Sequence, residues 1–249
     1  MSIVLLTATP KWIDLGNNGG AGFAFFNGAA GGSISAWVNT TRITGNDQSI
    51  VGAAIGPAGG TSASSRLRLL LTAGFPSLIG RTLDANSPTT VVGTTVLVIN
   101  TWTHVVGTFD GATRLASLYV NGVATGTGTF TNSTAGNFSA TNSKNGAIGS
   151  GVSGVDTWFD GQLADLRMYN VVLTADEIKT MWAMMGHDAI RRTAGTLQLA
   201  YPLNDAASGV VATTANLRDV SGANLAPLPF AVNGAPVFSA APLAMRRAA

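Results

Sequence analysis

The sequence predicts an all-β protein of the sandwich or barrel kind, on three observations. Only 10% of the 249 residues are charged, against about 25% in ordinary globular chains, and 31 are glycine; the surface must be built largely from Thr, Ser, Asn and Gly. Short runs of alternating or β-branched residues recur along the chain between Gly, Asn and Asp punctuation, the spacing of many short strands. Between two such runs stands Asn121-Gly122, the dipeptide that best fits a two-residue hairpin turn.

Taken in order, the predicted strands cover residues 33–39, 49–56, 66–72, 90–99, 102–110, 115–121, 146–149 and 158–169. Ile34, Ala36 and Val38 share one face of the first, and Leu118 and Val120 share a face beside the Asn-Gly turn, because side chains alternate along a strand. In the last strand Leu163 is out of phase with Leu166 and Met168. One extra residue near Ala164-Asp165, a β-bulge, turns all three inward. Residues 127–145, rich in Thr, Ser, Asn and Gly, read as a long surface loop or loose edge hairpin. One helix is well specified. Thr174 caps it, Glu177 completes a capping box, and Leu173 staples onto Ile178. Ile178, Met181, Trp182 and Met185 make its apolar stripe, and Gly186 suits the terminating left-handed position. Beyond it, residues 196–204 read as a strand, followed by a polar stretch and a proline-punctuated tail over 227–242.

Composition excludes several functions. Of the 12 carboxylates, Glu177 is the single glutamate, so chemistry needing paired glutamates is not available. Net charge is +2, and the basic runs are no longer than Arg191-Arg192 and Arg246-Arg247, which leaves no electrostatic footprint for nucleic acid. Without cysteine there are no disulfides, thiol nucleophiles or thiolate metal sites. The start carries no basic region ahead of an apolar one, and apolar stretches are broken by Gly, Thr, Asn and Pro despite a mean hydropathy of +0.30. A chain made in the cytoplasm without a signal peptide, and with no membrane partner, is expected. So little net charge also favours self-association or burial against a partner.

The remaining chemistry-bearing residues are few. Asp160 and Asp165 are the nearest approach to a glycosidase carboxylate pair, but a bulge between them argues against catalysis, and no Gly-x-Ser-x-Gly elbow occurs. His104, in a strand, reads as a hydrogen-bonded structural histidine, and His187 follows the helix where its exposed carbonyls lie. Trp158, after the glycine-rich loop 149–157, is the candidate for stacking on a sugar ring, with Asp156 accepting the sugar hydroxyls. Trp12, Trp37, Trp102 and Trp182 lie in periodic elements and read as core or interface residues.

Five pieces of the chain together resemble the laminin-G-like (concanavalin A-like) jelly rolls: Ser33-Ile34-Ser35-Ala36-Trp37-Val38; Trp102-Thr103-His104-Val105-Val106-Gly107-Thr108-Phe109-Asp110-Gly111; Leu118-Tyr119-Val120-Asn121-Gly122; Phe159-Asp160-Gly161 through Arg167-Met168-Tyr169-Asn170; and the helix start at Leu173-Thr174. The resemblance covers roughly residues 10–185 and implies a two-sheet antiparallel jelly-roll sandwich with one short helix. It further implies calcium held by rim-loop oxygens, with Asp14, Asp110, Asp160 and Asp165 as ligands, although Ala164-Asp165 stands where the family often has two adjacent aspartates. The jelly-roll glucanases place two glutamates around an aspartate on one strand, and this chain has no such strand. The family's opening pattern of tryptophan, proline, leucine and aspartate has its likeness near the C-terminus, at Tyr201-Pro202-Leu203-Asn204 and Asp219-Val220-Ser221-Gly222. A circular permutation is expected: residues 1–185 form the jelly-roll core, and residues 186–249, a strand and an extended arm, complete the same sandwich or contact a neighbour.

The function expected from all this is non-enzymatic: a structural or decoration protein of a virion, a bacteriophage head or tail component, oligomeric, with a lectin-like domain that contacts cell-surface polysaccharide. The alternative is a free carbohydrate-binding lectin. A glycoside hydrolase is third. No cofactor besides calcium is expected.

Overall fold

A computed structural model describes residues 2–5, 11–15, 26–55, 65–140, 143–151, 157–184, 196–203, 208–213, 216–217, 220–221 and 231–239. In chain order the strands are β1 (Ser2–Leu5), β2 (Trp12–Asp14), β3 (Gly31–Thr40), β4 (Gln48–Ile55), β5 (Ser65–Thr72), β6 (Phe75–Gly80), β7 (Thr89–Val92) and β8 (Thr103–Asp110). They continue with β9 (Leu115–Val120), β10 (Val123–Thr129), β11 (Ser143–Ile148) and β12 (Gly161–Tyr169). The helix α1 (Ala175–Met184) follows, then β13 (Leu197–Tyr201), β14 (Ala231–Asn233) and β15 (Val237–Ser239). One sheet has eight strands in the order β10-β9-β8-β3-β12-β1-β15, with β13 also on β12; the other has seven, in the order β14-β2-β11-β4-β5-β6-β7. Every pairing is antiparallel.

Alternation along each strand builds the core. Ile34, Ala36 and Val38 of β3, Val105 and Phe109 of β8 and Leu118 of β9 meet Leu67, Leu69 and Leu71 of β5, Leu78 of β6 and Ile148 of β11. Gly107 continues the same row of β8: a Cβ there would lie 2.7 Å from Cδ1 of Leu78, so glycine makes the space that leucine fills. The expected bulge is present. Ala164 pairs Trp37 while Arg167 pairs Ser35, so two residues of β12 stand opposite Ala36 alone, and Asp165 takes the left-handed backbone at φ 44°. Leu163, Leu166 and Met168 are all fully buried in the one core, as the phase argument requires.

The Asn121-Gly122 turn joins β9 to β10 with both residues left-handed, at φ 50° and 77°, the geometry that matches strand twist. At α1 the capping box is complete. Thr174 N–H donates to Glu177 Oε2 at 2.8 Å, and Glu177 N–H donates to Thr174 Oγ1 at 3.3 Å. Ile178, Met181 and the staple residue Leu173 pack on Val106 and Tyr169, outside the eight-stranded sheet. Trp182 is only half-buried, so the stripe is narrower than its spacing suggests; Met185, Gly186 and His187 lie outside the described residues.

Three predicted elements need correction, and one strand was missed. The run 90–99 is a strand only through Val92: Gly93 N–H still donates to the Pro76 carbonyl of β6 at 2.8 Å, and the next residue turns to the other sheet, where Thr94 N–H donates to the Thr125 carbonyl at 2.8 Å. Residues 127–145 are not one loop, since β10 reaches Thr129 and β11 starts at Ser143. The strand β6 was not among the predicted strands; its Pro76 opposes Leu71 next to the Ala73-Gly74 turn, a position whose nitrogen points away from β5, so the missing N–H costs no bond to that strand, and the Pro76 carbonyl still accepts Gly93 N–H at 2.8 Å. Finally, β13 stands within the predicted strand 196–204 and pairs β12, but parts of the expected arm beyond it are strands too: β14 pairs β2 and β15 pairs β1, and Tyr201, Leu203, Leu217 and Phe238 belong to the main core.

Candidate functional site

The glycine-rich segment leaves the seven-stranded sheet at Gly149, whose N–H donates to the Ile50 carbonyl at 2.8 Å, and returns at Phe159, whose N–H donates to the Gly149 carbonyl at 3.0 Å. Phe159 is fully buried in the core, so the returning end is anchored. Within the described part, Thr157 carbonyl accepts Ser49 N–H at 2.7 Å, and Trp158 carbonyl accepts Nη2 of Arg42 at 3.3 Å. Trp158 itself is half-buried. Its indole nitrogen is buried and has no acceptor among the described residues, which leaves ring carbon and backbone as the parts it shows to solvent. Asp156 lies outside the described residues.

Beside this loop lies the outer face of the seven-stranded sheet. Asp14, Ala147, Gly52 and Arg68 stand in one row across β2, β11, β4 and β5. Gly52 makes room for the stem of Arg68, which is only 1% exposed: a Cβ on Gly52 would lie 2.8 Å from Arg68 Cγ. Arg68 Nη1 donates to Thr157 Oγ1 at 3.5 Å. Ser49 hydroxyl, also on this face, is buried with no partner among the described residues. Apart from Asp14, these residues are absent from the sequence-derived site. The alternation Arg66, Leu67, Arg68, Leu69 was the available signal, because it places two arginines on the face opposite a leucine row.

The four aspartates proposed for calcium do not come together. Asp110 follows the start of β3 in register, opposite Gly31, whereas Asp160 adjoins Gly161, which pairs Thr40 at the other end of the same strand; nine residues of strand separate them by about 30 Å. Asp14 belongs to the other sheet. Asp110 Oδ1 accepts the N–H groups of Ala112 and Thr113 at 2.8 and 3.2 Å, the work of a turn residue. Asp160 pairs with Arg42 at 3.7 Å, and Asp165 with Arg167 at 2.9 Å. Among the described residues no three His, Asp or Glu side chains group around a metal-sized space.

His104 sits on the outer face of the eight-stranded sheet, 1% exposed, with Nε2 at 2.8 Å from Ser35 Oγ and its ring centroid 5.3 Å from that of Trp37. Burial, reinforced by the nearby Arg167 guanidinium, pushes its pKa down to about 3. Ser35 and His104 thus have a base and a hydroxyl in contact, but both are closed off from solvent, which suits structure rather than nucleophilic catalysis.

Solved structures supply the comparison. The chain superposes on a putative carbohydrate binding protein from Bacteroides ovatus with a TM-score of 0.59 and 18% identity, over 94% of this chain and 57% of that one. On the CBM40 of a Ruminococcus gnavus sialidase, in complex with α2,3-sialyllactose, the TM-score is 0.52 at 20% identity, covering 68% of this chain and 94% of the other. A heptameric SAP-like pentraxin from Limulus polyphemus gives 0.53 at 14% identity, over 73% and 81%. At such identities the likeness shows the fold. This chain spans little more than half of the Bacteroides protein. No curated protein matches the sequence. A family profile matches residues 12–179, two thirds of the chain and every element from β2 into α1, and by that match, together with the two-sheet sandwich, the chain belongs to the concanavalin A-like lectin/glucanases superfamily.

Proposed function

We propose that this protein is a non-catalytic carbohydrate-binding module, with Trp158 as the stacking platform and Asp156 as an acceptor for sugar hydroxyls. The observation that carries the reading is the state of Trp158: a part-buried aromatic residue on a segment tied down on both sides, by Ser49 and Gly149 at the sheet and by Arg42 at the rim. A held aromatic loses little freedom when a sugar ring covers it. Carbohydrate binding by jelly-roll neighbours supports the same reading. The nearest approach to a carboxylate pair, Asp160 and Asp165, has each partner engaged by an arginine, an arrangement that does not match two carboxylates flanking a glycosidic bond. On a glycan array the protein binds at least one oligosaccharide, and Trp158→Ala weakens that affinity about tenfold or more, equal to about 1.4 kcal/mol, with unchanged thermal unfolding. A bare array, or equal binding by the variant, sinks the proposal.

A second reading, a structural component of a larger assembly such as a virion, is favoured by one stretch of surface. No Asp, Glu, Lys or Arg occurs between Asp84 and Asp110, and Val92, Val96, Val98 and Ile99 within it are each more than 40% exposed. Exposed apolar surface without flanking charge favours association. Sedimentation velocity then shows a species larger than 25.3 kDa that persists on dilution; a strict monomer at high concentration removes this reading and leaves the first intact.

A further inference from the structure

We infer that Arg68 is a positioning residue for Trp158: laid across Gly52 and bonded to Thr157, it holds Thr157 in a strained conformation that sets how the adjoining indole meets its ligand. The ligand part of this inference rests on the carbohydrate-binding reading above; the clamp itself does not.

The strain is at Thr157, a β-branched residue with φ of 53°, a left-handed backbone that such side chains avoid and that persists only where surrounding contacts enforce it. Two contacts do so from different strands. Ser49 of β4 donates its N–H to the Thr157 carbonyl at 2.7 Å, and Arg68 of β5 donates from Nη1 to the Thr157 hydroxyl at 3.5 Å. Arg68 reaches Thr157 only because β4 carries no side chain at the place where the arginine crosses it. Gly52 is the direct register partner of Arg68, and a Cβ there would stand 2.8 Å from Cγ and 3.0 Å from Cδ of the arginine stem. Glycine in the middle of a paired strand is costly to the strand, and here it opens the path for the guanidinium. Trp158 follows directly. On its other side Phe159 is locked into the core, so fixing Thr157 leaves the indole between two immobile neighbours.

The test uses full-length protein labelled with 5-fluorotryptophan, whose five fluorine resonances are assigned by single Trp→Phe changes. Thr157→Val keeps the branched shape but removes the acceptor; Arg68→Met removes the donor; Gly52→Ala displaces the arginine. Each is expected to shift or broaden the Trp158 resonance and spare that of Trp12, in the same sheet. The double variant Thr157→Val/Arg68→Met is expected to look like either single one, the signature of a shared contact. Affinity for the array-selected glycan falls about three- to tenfold in each, the worth of one hydrogen bond, again without addition in the double variant. An unmoved Trp158 resonance in Thr157→Val and Gly52→Ala overturns the clamp, including the case where Arg68→Met does not fold. A moved resonance with unchanged glycan affinity overturns the positioning role and leaves only a structural one. Wild-type protein that binds no glycan defeats the carbohydrate reading, while the resonances still decide the clamp.

Discussion

Removing residues 196–249 abolishes cooperative folding. The expected product is a chain that expresses into the insoluble fraction or, if recovered, shows no sharp thermal transition by circular dichroism. The magnitude comes from the core. Leu199, Tyr201, Leu203, Leu217 and Phe238 are each no more than 1% exposed, and burying a large apolar side chain stabilises by about 1.5–3 kcal/mol. Their loss removes on the order of 10 kcal/mol, as much as the whole stability of an ordinary domain, about 5–15 kcal/mol. The sheets suffer as well. β12 loses β13, β1 loses β15 and β2 loses β14, which bares backbone donors and acceptors on three strands and invites aggregation at the new edges. A remnant of residues 1–195 that stays soluble and melts near the full-length temperature would show the C-terminal strands to be an appendage, and with it would fall the idea that they complete a permuted sandwich.

What the sequence disclosed, and what it withheld, follows from the range of the interactions involved. Local chemistry was legible. The capping box at Thr174 and Glu177, the Asn121-Gly122 turn and the inward phase of Ile34, Ala36 and Val38 depend on residues within four positions of one another, and all stand in the structure. The bulge at Ala164-Asp165 was legible too, because a register fault shows up as apolar residues falling out of phase. β6 was missed: its Pro76 is tolerated because its nitrogen points away from β5, a fact of the sheet and not of the segment. The run 90–99 misleads for the same reason: its β-branched residues suit a strand, but past Gly93 the backbone bonds go to Thr125 of the opposite sheet and to Gly74 at the β5-β6 turn. The site divides likewise. Trp158 could be picked out as an aromatic after a glycine-rich loop, whereas Arg68, Gly52 and Ser49 become neighbours of that loop only through the pairing of β4 with β5. The aspartates were chosen by family likeness, and strand register spreads them over both sheets.

Acid destabilises the protein well before its carboxylates titrate, with His104 as the cause. In the unfolded chain the imidazole titrates near its ordinary value of about 6.5; in the fold, desolvation and then Arg167 push it down to about 3. The sign follows directly. A group that binds its proton more tightly when unfolded contributes its full stabilisation above pH 6.5, and that contribution is lost progressively as pH falls toward 3. The slope is about 1.4 kcal/mol per pH unit. Aspartates ordinarily titrate near 3.9, so the interval from pH 6.5 to 4.5 isolates histidine, and urea unfolding should record a loss on the order of 2–3 kcal/mol across it. His104→Asn should flatten that interval, at the cost of a lower plateau near neutrality because the Ser35 contact and the packing on Trp37 change together. His187→Asn, the control for the other histidine, should leave the slope in place. A wild-type curve already flat between pH 6.5 and 4.5 would mean that the imidazole is protonated or solvated in the fold, and the buried, neutral histidine beside Ser35 would have to be abandoned.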